Sequence, residues 1–364
     1  MLSVEAGDKQ AKSPHDVTLD SANQRMSISK QPEPVLASLR WPGRPCLQSG
    51  NASWTYMIET PDGEFALFIG ELKNDSNRPL PFEVWVNGVE QPRGLGAVAK
   101  TLSMDMRAND TAWLRLKLET LSKIAGEKPF ECHMPPHGEL VLVPGSVAAM
   151  AKVVHWHCEQ MGALEEGGAT PVLNAMLSPE EPLTGPDGTL SWTVDIHNPA
   201  AHETFVLGLK ETTLADGTTR PYSCWLSGNY PRALDGLTRL LSLDMRVIDP
   251  AWIGMKLRKL TSYPEPLGGF MAFEPGSRRQ KHWPSTVAYL ARLIMHRYAM
   301  LDILDENGYP RREMGILQAP TKSDSKSSLN IMKGRQCMEC GNSTVIKRDG
   351  CDFCTACGVV GACG

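Results

Sequence analysis

The chain has 364 residues, 41% of them hydrophobic and 21% charged, enough to bury roughly two or three domain cores. A formal net charge of −4 without any long basic run argues against a protein built to grip phosphate backbones, because that affinity comes from clustered lysine and arginine. No stretch of about eighteen apolar residues occurs and residues 1–20 lack a secretory-leader pattern, so the expectation is a cytoplasmic protein with no membrane partner. In that reducing compartment ten cysteines point to metal or redox chemistry rather than structural disulfides.

Residues 1–34 run through lysine, serine, glutamine, aspartate and proline without apolar periodicity, and read as a flexible tail that cannot offset the entropy of ordering. An internal repeat follows, over 35–165 and 166–307. Ser53, Trp54 and Thr55 return as Ser191, Trp192 and Thr193; Pro81, Phe82, Trp85 and Gly88 return as Pro221, Tyr222, Trp225 and Gly228. Leu102, Ser103, Asp105, Met106 and Arg107 match Leu241, Ser242, Asp244, Met245 and Arg246, and Trp113 with Lys117 matches Trp252 with Lys256. Near the end of each copy, Val147 and Ala148 match Val287 and Ala288. A period of about 140 residues is far longer than a solenoid unit, so the pattern reads as a duplicated domain.

Each copy has one grammar. Alternating segments at 65–69 and 205–207 precede second strands at 82–86 and 222–226 that end in glycine, which predicts paired antiparallel strands. Helices follow, with Leu95, Val98, Ala99, Leu102 and Met106 forming one stripe and Leu234, Leu237, Leu241 and Met245 the other. A second helix, 147–159 and 287–304, closes each unit. The predicted class is α+β: a tandem duplicated domain of small antiparallel sheets with packed helices, plus a C-terminal zinc ribbon.

Residues 308–335 have linker composition and lead to a cysteine module at 336–364. Six of the ten cysteines fall in the last twenty-eight residues. Cys337 with Cys340 and Cys354 with Cys357, each pair followed by glycine and the two separated by thirteen residues, have the C-x-x-C-G form of zinc knuckles. Cys351 and Cys363 are then spare. Because Cys351 and Cys354 also form a C-x-x-C, zinc held by Cys337, Cys340, Cys351 and Cys354 is the alternative, leaving Cys357 and Cys363 spare. The glycine-following knuckles are favoured, since glycine relieves the tight turn in which backbone amides approach the sulfurs. A thiol one residue from the chain end, on a tail of glycine, alanine and valine, has the reach of a dithiol carrier.

The tail from Gly350 to Gly358, together with the segments from Phe82 to Gly88 and from Arg93 to Arg107, resembles the smaller component of split adenosylcobalamin-dependent (class II) ribonucleotide reductases. The resemblance covers roughly residues 36–300 as an accessory domain and 335–364 as a zinc-ribbon tail. It implies a larger partner chain carrying the radical barrel, the adenosylcobalamin and the nucleotide pocket. It also implies that this chain is a component of a ribonucleoside-diphosphate reductase, working in deoxyribonucleotide synthesis. Cys351 and Cys363 would then re-reduce the partner's active-site disulfide, and a thioredoxin- or glutaredoxin-type reductant would recharge them. Alone the chain is not expected to reduce nucleotides, because Cys46, Cys132, Cys158 and Cys224 are scattered singly.

Other residues invite chemistry less strongly. His155, His157 and Cys158 lie within four residues, but on a helix i and i+2 face apart. Cys132, His133 and His137 sit among prolines without an equivalent in the second copy. Cys224 aligns with Val84 and reads as a small buried hydrophobe. Asp105 with Arg107, repeated as Asp244 with Arg246, offers a ligand-binding pair but reads more simply as a structural patch tying a helix end to its neighbour, and the repeated tryptophans read as anchors. The competing function is a zinc-ribbon adaptor that binds a protein or nucleic acid; it needs four cysteines, not six, and direct nucleic-acid binding is not expected from Lys347 and Arg348 alone. A free-standing thiol oxidoreductase would want a C-x-x-C at a strand-to-helix junction.

Overall fold

The computed structural model describes residues 17–20, 25–28, 34–311 apart from 46, 75, 76, 185, 187, 215, 216 and 267, and the tail segments 345–348, 351–354 and 360–363. Two short strands, β1 (Val17–Asp20) and β2 (Arg25–Ile28), pair antiparallel inside the segment expected to be a featureless tail. Each alternates apolar and polar residues over four positions, too short a stretch for the compositional reading to register.

A 3-10 turn at Val35–Ser38 leads into β3 (Ala52–Thr60), β4 (Gly63–Lys73) and β5 (Pro79–Asn87), an antiparallel sheet in that order. Helices α1 (Leu95–Met106) and α2 (Thr111–Leu121) follow, then a hairpin of β6 (Phe130–Met134) and β7 (Glu139–Val143), and then α3 (Ser146–Gln160). After the single turn α4 (Pro171–Asn174), the same order comes again. Strands β8 (Ser191–Asn198), β9 (Glu203–Thr213) and β10 (Thr219–Asn229) precede α5 (Ala233–Met245) and α6 (Pro250–Leu260). Strands β11 (Phe270–Phe273) and β12 (Gln280–Trp283) and helix α7 (Thr286–Met300) complete the second half. The tail carries β13 (Val345–Arg348), β14 (Cys351–Cys354) and β15 (Val360–Cys363) as a three-stranded antiparallel sheet.

The class is therefore α+β, built of small antiparallel sheets with packed helices. Each half is richer than its sequence grammar. A third strand, β3 or β8, edges each sheet, and α2 or α6 intervenes before the closing helix. Helices α2 and α6 escaped the periodicity reading because a buried lysine interrupts each apolar face: Lys117 and Lys256 are both fully inaccessible. The closing helix α7 stops at Met300 rather than near residue 304, where Asp302 takes a positive φ of 57°. The linker also starts later than composition suggested. Leu304 bridges Pro310, Arg258 donates to the Gly308 carbonyl, and the Arg258 guanidinium lies 4.2 Å from the Tyr309 ring centre.

The predicted stripes of α1 and α5 are buried along their whole length, and these two helices pack on each other across the halves. Asp110 and Asp249 tie the ends of this arrangement. Asp110 caps α2 by accepting from the Trp113 amide at 2.8 Å, and its other oxygen accepts from Val172 and Leu173 at 2.8 and 2.9 Å. Asp249 accepts from Ala251 in α6 and, at 2.9 Å, from Val35 far away in the chain. Among the described residues, no helix is long and apolar enough to cross a membrane.

Candidate functional site

The tail cysteines are placed by strands. Cys351 opens β14 and Cys354 ends it, while Cys363 ends β15. In the β14–β15 pairing Cys351 stands opposite Cys363; in the β13–β14 pairing Val345 stands opposite Cys354 and Arg348 opposite Cys351. Cys337, Cys340 and Cys357 lie outside the described residues, as does Cys46. Among the described residues, no group of three or more histidine, cysteine, aspartate or glutamate side chains is arranged to hold a metal.

The body keeps its cysteines away from reagents. Cys158 and Cys224 are buried, and burial pushes each thiol up to about 12; Cys132 is also raised, by burial first and then by Glu59. Cys224 donates to the Thr238 carbonyl at 3.3 Å and faces the Ser242 hydroxyl. The histidine clusters do not converge. His157 bonds Glu71 through Nε2 at 2.9 Å and stacks on Trp54 with ring centres 4.4 Å apart, and burial holds it below the ordinary histidine range despite Glu71. His155 instead approaches Glu159 at 3.5 Å. On the β6 strand Cys132 faces inward and the adjacent His133 is exposed, its Nδ1 2.8 Å from the Gly138 carbonyl.

The repeated Asp-x-Arg patch ties helices to their neighbours, as its structural reading expected, but through partners that the sequence did not name. The aspartates do not pair with the arginines two residues on; they reach into the seam between the halves and meet lysines there. Lys256 on α6 donates to Oδ1 of Asp105 on α1 and, at 2.8 Å, to Oδ1 of Asp244 on α5. Lys117 on α2 donates to Asp244 Oδ1 at 2.7 Å and to the Leu240 carbonyl, and lies 3.8 Å from Asp105 Oδ2. Trp113 and Trp252 complete the set, their indole N–H groups donating to Asp105 and Asp244 at 2.7 and 2.8 Å and their rings meeting edge to face. All four charged side chains are fully buried, two positive and two negative.

Burial raises Asp105, and the lysines oppose that shift. Burial likewise pushes the Lys117 ammonium down to about 8 against the pull of Asp105 and Asp244. For Lys256 burial works in the same direction, but close bonds to both carboxylates outweigh it and raise this group. The asymmetry follows from geometry: Lys256 touches both aspartates and Lys117 only one closely. This tetrad was invisible as a site in sequence. Its signal was the recurrence of Asp, Trp and Lys at matched positions of both copies. It is chemically a closed, neutral cluster that joins the halves, with no path for a substrate.

Comparison with known proteins adds no relative: no family model matches the chain, and no curated protein or solved structure matches it.

Proposed function

We infer that this chain is the accessory, re-reducing component of a class II adenosylcobalamin-dependent ribonucleoside-diphosphate reductase, acting on a larger partner chain that carries the barrel and the cobalamin. The observation that supports this most is the opposition of Cys351 and Cys363 in the β14–β15 register. Opposed residues in an antiparallel pair have Cα atoms about 4.5–5.5 Å apart, within the range of about 4.4–6.8 Å that a disulfide spans. The pairing shifts register just after Cys351, and a backbone spacing of this kind is compatible with a disulfide.

The exchange balances as follows. A thiolate of the pair attacks one sulfur of the partner's disulfide, that S–S bond breaks, and the departing sulfur takes a proton. The second thiol of the pair loses its proton and displaces the partner's remaining sulfur. The partner leaves as a dithiol with two electrons gained, and Cys351 and Cys363 are left joined. A thioredoxin- or glutaredoxin-type dithiol then returns them to thiols.

Cys337, Cys340, Cys354 and Cys357 have the donor chemistry of a structural zinc site, four thiolates in two knuckles. Zinc bound there would order the module and leave the exchanging pair free. The extended β14 strand supports this partition over the alternative, because Cys351 and Cys354 in one strand are separated by about 10 Å of chain at roughly 3.3 Å per residue. A knuckle needs a turn tight enough to bring both sulfurs about 2.3 Å from one ion. The two matching successions of sheet, helix pair, hairpin and closing helix support a tandem duplicated domain as the scaffold behind the tail.

The test is multiple turnover with the large reductase chain and a thioredoxin-type reductant. Replacing Cys351 and Cys363 by serine should confine the complex to about one turnover while dithiothreitol restores cycling, with zinc content unchanged. Unimpaired cycling in the double variant would refute the redox role and leave the tail a ribbon adaptor.

A further inference from the structure

A cavity of about 550 Å³ opens beside α1, bounded by β5, by the stretch from Leu39 to Arg44, and by the end of α6 from the other half. Its volume is that of a small-molecule site. Four cations line it: Arg44, Lys100, Arg107 and Lys259. The one carboxylate facing it, Glu83, is already held by Arg44 in a two-pronged pair at 2.6 and 2.9 Å. Among the described residues, Lys100, Arg107 and Lys259 form no ion pair with a carboxylate, although Glu83 pulls on Arg107 from a distance, and the Arg107 Nε is buried with nothing to donate to. Burial lowers the pKa of Arg107 and of Lys100, and Lys259 adds repulsion at Lys100.

The other half places different partners around the matching cations. The two places superpose by their chain register: Leu39 bridges Ala108 as Met176 bridges Val247, and the Arg40 amide bonds the Arg107 carbonyl as the Leu177 amide bonds that of Arg246. Four residues on, the second half has Glu181 where the first has Arg44. Glu181 binds Lys210 at 2.7 Å and Arg239, the counterpart of Lys100, at 3.1 Å. Arg246 donates to the carbonyls of Ser242 and Pro179 at 3.1 and 3.0 Å. Arg44 thus stands where the second half has Glu181, and the carboxylate of the first half, Glu83, stands where the second has Ser223; Arg239 has an acid partner that Lys100 lacks. Lone buried donors of this kind call for an acceptor.

Aromatic rings share the same walls. Trp85 is half exposed with Arg44 4.6 Å from its ring centre, and Trp41 and Tyr263 line the same cavity, Tyr263 with the Lys100 ammonium 5.6 Å from its ring centre. Tyr263 lies close over α1 because residue 96 is glycine; a Cβ there would meet its hydroxyl at 2.3 Å.

We propose that this cavity binds a nucleoside phosphate, its planar base stacked on the Trp85 and Tyr263 rings and its phosphates on Lys100, Arg107 and Lys259. Phosphate oxygens satisfy the unpaired donors and relieve the mutual repulsion of the cations, while the rings supply stacking that a bare anion would not use.

The experiment is titration calorimetry on the full chain with ADP, ribose 5-phosphate and pyrophosphate, supported by tryptophan fluorescence. ADP should bind, at least tenfold tighter than ribose 5-phosphate or pyrophosphate. Lys100→Met with Arg107→Met should weaken ADP at least tenfold, whereas Arg239→Met in the second half should leave it unchanged. Removing the two cations should not unfold the chain, since neither forms an ion pair with a carboxylate among the described residues, and far-UV circular dichroism with the melting temperature checks this; if that double variant fails to fold, Lys259→Met alone, at an exposed position, should still weaken ADP severalfold. No ADP binding at millimolar concentration, equal affinity for ADP and pyrophosphate, or equal affinity in wild type and folded variants would overturn the proposal.

Discussion

Replacing Lys256 with methionine tests the buried tetrad most directly. The substitution keeps the length of the stem but removes the ammonium that donates to both Asp105 and Asp244. Two carboxylates then share the seam with Lys117 alone, which is 2.7 Å from Asp244 but 3.8 Å from Asp105. One negative charge is left without compensation in a fully buried place, and breaking a buried pair on one side typically costs about 3–5 kcal/mol. At about 2–4 °C per kcal/mol for a body of this size, the melting temperature should fall on the order of 10 °C. The loss should also depend on pH. Burial already raises Asp105, so its contribution to stability is greatest at low pH and fades as pH rises through its folded pKa. Without Lys256 that pKa moves higher still, so the deficit measured by urea unfolding should be smaller near pH 5 than near pH 8. Adding Asp105→Asn restores charge balance, keeps an oxygen for the Trp113 indole, and should recover part of the loss. A deficit under about 1 kcal/mol, or one independent of pH, would refute the view that these groups are ionised partners holding the halves together.

Three further outcomes follow from the same structure. Asp110→Ala strips the α2 cap and two amide bonds to α4 and should cost about 2–3 kcal/mol in urea unfolding, with Asp110→Asn costing less because one acceptor oxygen remains. Iodoacetamide at pH 8 should leave Cys132, Cys158 and Cys224 unmodified in the native protein and label them only after unfolding, read by peptide mass, because burial raises all three thiols. Purified protein should carry about one zinc per chain, and Cys337→Ser should lose it without lowering the melting temperature of the body, measured by metal analysis and calorimetry.

The sequence determined more of the fold than of the charge chemistry. Apolar spacing marked α1 and α5, whose buried stripes recur at the helical period, and apolar runs marked β4, β5, β9 and β10. The recurrence of Ser-Trp-Thr and of the Asp-Met-Arg segment predicted a repeated order of strands and helices, and that order occurs twice among the described residues. The tail cysteines stood out by their spacing and following glycines, the form in which four thiolates would be offered to a metal. Tertiary structure alone decided who meets whom. Asp105 read as part of a patch tying its helix to a neighbour, but nothing in the sequence named its counter-charge as Lys256 on another helix, over a hundred residues along the chain. Helices α2 and α6 were obscured for the same reason: a lysine on an apolar face breaks the period unless the acid it will meet is known. Nor does a one-dimensional pattern show that Lys100 forms no ion pair among the described residues while Arg239 has Glu181. Local periodicity records which face is buried; the identity of a buried charge's partner is set by long-range packing, where the cost of desolvation forces pairing and sequence distance has no bearing.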